Sequence, residues 1–187
     1  MRQLILSVSI TAALGLVASG CQGNQAPQSA TQAQAGPAAS VERVVDEHSY
    51  AQPEKVRITD IALDLALDFD KKELSGSATY TLDWLDKTAT QLVLDTRDLT
   101  IAKAEALGND GTWMPLKFVL SDKDKILGSA LTIETPSHPA KVRVTYVTSP
   151  DASGLQWLAP AMTEGKQQPF MFSQSQQIHA RSWVPLQ

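Results

Sequence analysis

Between Ile61 and Trp84 side-chain character changes at nearly every residue, and this alternation is the firmest constraint on what the chain can fold into. Ile61, Leu63, Leu65, Leu67 and Phe69 are apolar, with Ala62, Asp64, Ala66 and Asp68 standing between them. A strand turns successive side chains to opposite faces, so this run predicts one buried and one wet face. Asp70-Lys-Lys-Glu73 then makes the turn, and a return strand carries Ala78, Tyr80, Leu82 and Trp84 inward with Thr79, Thr81 and Asp83 outward.

Further strands are expected over 90–95, 99–107, 114–120, 130–134 and 141–146, parted by turn-forming clusters such as Gly108-Asn-Asp-Gly111. No long helical periodicity competes with them. Short strands divided this way predict an all-β fold, an antiparallel sandwich or open barrel. Residues 149–165 are looser, with Pro150-Asp-Ala-Ser-Gly154 as a turn, and the stretch through Pro185 is expected to be extended again. A chain of 187 residues, 43% hydrophobic and 19% charged, is enough for one globular domain with a sizeable core. The formal charge of −4 and the lack of any Lys and Arg cluster exclude a nucleic-acid surface, which must displace counterions from phosphate.

Met1-Arg2 and the apolar run from Leu4 to Ala18 have the charged start and short apolar centre of an export signal. Ala18-Ser19-Gly20 then places small residues directly before Cys21, the only cysteine of the chain, as a bacterial lipoprotein signal would. The expectation is a signal peptide over 1–20 and a lipid on Cys21 that holds the protein to a membrane of the bacterial cell envelope, facing the periplasm. Ordinary cleavage, leaving a free secreted protein, is the alternative, because Ala18 stands where Leu is commonest. With one cysteine no intrachain disulfide can form, so packing alone must hold the core. Residues 21–52, rich in Gln, Ala, Ser, Pro and Gly, read as a flexible linker with a reach on the order of 30 Å. The β-domain is expected over 53–187.

The stretch Phe170-Met-Phe-Ser-Gln-Ser-Gln-Gln-Ile-His-Ala-Arg-Ser-Trp183 is the part that points to chemistry. Taken as a strand, it would put Phe172, Gln174, Gln176, Ile178 and Ala180 on one side. Two primary amides would then stand together, each offering a carbonyl acceptor and two N–H donors to a peptide's amino end.

Together with Leu155-Gln-Trp-Leu-Ala-Pro160, Gly165-Lys166 and the run Leu92-Val-Leu-Asp-Thr-Arg-Asp-Leu-Thr-Ile101, this stretch resembles the N-terminal domain of the aminopeptidase N superfamily of zinc metallopeptidases, in its leukotriene hydrolase-like branch. The resemblance runs from about Val56 to Gln187. It implies a saddle-shaped antiparallel β-domain in which Gln174 lines the pocket for the substrate's first side chain and Gln176 helps to hold its free amine. Many members carry Glu at the second position, so here the amine would meet a dipole instead of a carboxylate. A catalytic zinc domain with Gly-x-Met-Glu-Asn, a His-Glu-x-x-His helix and a later Glu would follow in such an enzyme, and none of these motifs occurs in this chain. The expectation is therefore a domain inactive by itself, with zinc and the catalytic domain supplied by the complete enzyme. The competing reading is a non-catalytic envelope lipoprotein, a binding module with the same β fold.

Other chemistries find weaker support. The three histidines, His48, His138 and His179, form no His-x-x-x-His pair, so this chain is expected to bind no metal and to need no cofactor of its own. An Asp68-based calcium loop would need Gly where Glu73 stands, which leaves Asp64, Asp68, Asp70 and Glu73 as a solvated hairpin. No serine has a Gly-x-Ser-x-Gly setting. Trp84 fits a core position, and Trp113, Trp157 and Trp183 are scattered, which favours packing over a sugar platform.

Overall fold

The computed structural model describes residues 46–187. The expected signal peptide, Cys21 and most of the linker lie outside the described residues. Among the described residues ten strands, all paired antiparallel, form three sheets. The five-stranded sheet runs in the order β1 (Val56–Asp68), β2 (Glu73–Trp84), β8 (Lys141–Val147), β4 (Thr100–Leu107), β5 (Trp113–Leu116). A three-stranded sheet orders β3 (Gln91–Thr96), β7 (Ser129–Glu134) and β6 (Phe118–Leu120), and β9 (Leu155–Leu158) pairs with β10 (Phe170–Ser173) as a hairpin.

The alternation in the sequence is what joins the two larger sheets into a sandwich. Ala78, Tyr80, Leu82 and Trp84 of β2 and Val142, Val144 and Tyr146 of β8 meet Leu92 and Leu94 of β3 and Leu131 and Ile133 of β7 in one buried cluster. Burying a side chain of this size stabilises the fold by about 2 kcal/mol. Two polar tips inside the cluster find backbone acceptors: the Trp84 indole N–H donates to the Pro139 carbonyl at 2.9 Å, and the Tyr80 hydroxyl to that of Pro185 at 2.7 Å.

β1 departs from the expectation of a buried face. Val56 is buried and Ile58 and Leu65 are partly covered, but Ile61, Leu63 and Leu67 are 41–48% exposed. Tyr80, directly across from Ile61 in the register, is fully buried. β1 is the outermost strand of its sheet, so cover from the smaller sheet ends at β2. The expected single strand over 114–120 is also divided. β5 pairs with β4 and β6 with β7, and the carbonyl of Lys117, where the chain passes from one sheet to the other, accepts the Glu134 N–H at 2.9 Å. Pro115 falls in β5, an outermost strand, where its missing N–H costs no ladder bond.

A buried ion pair ties both ends of the described chain to β3. Arg181 and Asp95 lie 3.2 Å apart with side chains only 6% and 2% exposed. Asp95 also accepts from the Ser49 hydroxyl and the Tyr50 N–H, and Arg181 donates to the carbonyls of His48 and Leu127. Residues 48–50, expected in the linker, are thus bonded to the domain ahead of Pro53.

Candidate functional site

The site is built where the β9–β10 hairpin meets the segment that follows it. Ser173 pairs with Leu155 as the last rung of the hairpin, and the Gln174 N–H then donates to the Gly154 carbonyl at 2.9 Å. From there the chain leaves the sheet. The Gln176 N–H turns back onto Gln174 Oε1 at 3.2 Å, the His179 N–H donates to the Ser175 carbonyl, and a 3-10 turn spans Ala180–Ser182. The Gln176–Gln177 peptide bond is cis.

The expectation of an extended stretch with Phe172, Gln174, Gln176, Ile178 and Ala180 on one side is therefore corrected. After Gln174 the chain folds into successive local turns up to Val184, so the two-residue period ends there. Gln174 and Gln176 nonetheless converge on one cavity, of about 520 Å³, together with Trp157 and His179. Ile178 and Ala180 line a separate hollow beside Arg181.

Close packing holds the floor of the cavity. Gly154 accepts no side chain: a Cβ there would stand 2.6 Å from the His179 carbonyl and 2.9 Å from Trp183 Cδ1. Ser182 Oγ accepts the Gly154 N–H at 2.8 Å and donates to the His179 carbonyl at 2.7 Å, stitching the turn to the hairpin. The Trp183 indole donates to Ser175 Oγ at 3.0 Å, and His179 Nδ1 lies 2.8 Å from Ser153 Oγ. His179 is thus a hydrogen-bonded member of the cavity wall. Among the described residues no group of three or more His, Cys, Asp or Glu is placed to hold a metal ion.

A second wall comes from the β1–β2 turn. Asp68 accepts the N–H groups of Lys71 at 2.9 Å and Asp70 at 3.1 Å. The Lys71 N–H above all holds the Asp68 carboxyl below its ordinary value, outweighing desolvation with help from the Lys71 charge and the Asp70 N–H. This carboxylate thus fixes the turn. Phe69 meets Trp157 edge-on with ring centroids 5.5 Å apart, and Lys72, at φ 58°, lines the cavity. The other tryptophans pack: Trp84 is buried in the core, and Arg143 lies 4.1 Å over the Trp113 ring.

Gln174 and Gln176 were the residues expected to line a site and both border this cavity, whereas Lys72, Gly154 and the Asp95–Arg181 pair were not singled out. Asp95 and Arg181 each sit within one of the blocks that carry the resemblance, which was the available signal for pairing them. Lys72 gave none, since its reach into the cavity depends on Phe69 meeting Trp157.

Residues 48–187 match the family model described as the Peptidase M1 N-terminal domain. The chain belongs to this family. A leukotriene A-4 hydrolase from Xenopus laevis is 37% identical over 149 residues, which cover 77% of this chain and 24% of that protein. Leucine aminopeptidase 2 from Yarrowia lipolytica is 35% identical over 143 residues, 75% of this chain and 21% of the relative. Among solved structures, native yeast LTA4 hydrolase superposes with a TM-score of 0.69 at 29% identity, over 81% of this chain and 23% of that one. The same yeast enzyme in complex with Bestatin gives a TM-score of 0.68. This M1 N-terminal domain therefore spans about a quarter of the length of the relatives it matches.

Proposed function

We propose that this chain is the substrate-lining N-terminal domain of an exported, lipid-anchored zinc aminopeptidase, which removes N-terminal residues from peptides. The observation that carries this reading is the convergence of Gln174 and Gln176 on one cavity. Gln174 Oε1 is already engaged by the Gln176 N–H, so Gln174 is oriented before any ligand arrives. The Gln176 carbonyl is suited to accept from a substrate's ammonium, and the Gln174 amide to line the space for the first side chain. Orienting the amino end is the work of these residues in the reaction.

The described residues offer no set of His, Cys, Asp or Glu that fits a zinc ion. Zinc is proposed for the complete enzyme, from a domain that this chain would pack against. Export and the lipid on Cys21 rest on the sequence alone and belong to the same proposal. Their check is a Cys21→Ser variant, which should leave the membrane fraction of a bacterial host.

The decisive test measures aminoacyl-arylamide hydrolysis by this chain and by a form extended through the gene sequence after Gln187. The proposal expects no turnover from the short form and zinc-dependent turnover from the long one. Activity in the short form, or none in the long form, overturns it and favours a non-catalytic binding module.

A further inference from the structure

The cavity that receives Gln174 and Gln176 is rich in hydrogen-bond donors and contains no carboxylate. Gln156, Gln174 and Gln176 bring primary amides and Lys72 a full positive charge, whereas no Asp or Glu lines it. Trp157 lines the same cavity with its ring, its indole nitrogen being buried beneath the surface. Lys72 is held at the cavity by the hairpin tip: Asp68 fixes the turn, and Phe69 abuts Trp157. The Asp68 carboxylate in that turn pairs with Lys71, at 3.6 Å.

We propose that the cavity selects peptides whose first residue has an acidic side chain, with Lys72 as the residue that sets this preference. The inference rests on the reading that this cavity receives a peptide's amino end, and it adds the class of substrate. A side-chain carboxylate supplies the charge that Lys72 lacks a partner for within the cavity and the acceptors that the amides can use. Lys72 is exposed, so the ion pair it forms is screened and its contribution modest.

The test titrates the intact chain with a glutamyl-headed and a glutaminyl-headed dipeptide amide, which differ in charge and hardly in shape, following the Trp157 indole N–H by NMR. At low salt the glutamyl ligand should bind roughly three- to fivefold more tightly, as expected for a screened pair. Lys72→Asn should erase the difference, since Asn tolerates the left-handed backbone while removing the charge. Lys72→Arg should keep it, and added salt should erode it. Equal affinities, a preference that survives Lys72→Asn, or an indole resonance unmoved by both ligands would overturn the inference. Failure of the peptidase reading registers elsewhere, as absence of arylamide hydrolysis by the extended protein.

Discussion

Tyr80 and Tyr146 are both fully buried, yet only one hydroxyl has found an acceptor. Tyr80 donates to the Pro185 carbonyl at 2.7 Å, while the Tyr146 hydroxyl has no partner among the described residues. Tyr80→Phe would strand a buried carbonyl and should destabilise the domain by about 1–3 kcal/mol. Tyr146→Phe removes an unpaired group and should be neutral or stabilising, and urea unfolding of both variants checks the contrast. The Asp95–Arg181 pair follows the same logic with charges. Arg181→Met would leave a buried carboxylate without its cation, at a cost of about 3–5 kcal/mol read from the same unfolding curves. At this scale the sequence was legible in part. That Gln174 and Gln176 stand close together was readable because they lie in one short motif, whereas Asp95 and Arg181 stand far apart in the chain and only the fold brings them together.

Among the elements, β2 and β8 were the most readable, because strict alternation meets full cover on one face and water on the other. β1 has an equally clean pattern and a mostly exposed apolar face, since alternation states which residues share a face and not whether another sheet lies over it. The segment after Ser173 failed for a different reason. Between Gln176 and Val184 it is wound into tight turns, which leave no two-residue period to detect. Gly154 is the point where that segment and the β9–β10 hairpin touch. Gly154→Ala should force them apart, with a loss of about 1–3 kcal/mol and displacement of the Gln174 and Trp183 side-chain resonances in NMR spectra.

Taken as a whole, the described domain is a sandwich whose stability must depend on alkaline pH through its two core tyrosines. Burial raises the Tyr80 pKa well above its ordinary value, with a smaller contribution from Tyr146, and burial raises that of Tyr146 as well. Both groups are protonated more readily folded than unfolded. Their contribution is complete below the unfolded tyrosine value of about 10 and is lost as pH rises through the folded values. Absorbance at alkaline pH should show Tyr80 and Tyr146 ionising together with unfolding instead of before it. The cavity lies at one end of this sandwich, and the family's larger members extend well beyond the portion it represents.

The measurement that bears most directly on the central claim is a crystal structure of the extended protein with a dipeptide amide bound. The account predicts the ligand's amino group within about 3 Å of the Gln176 side-chain oxygen and its first side chain against Gln174. A ligand seated elsewhere, with both amides facing solvent, would contradict it.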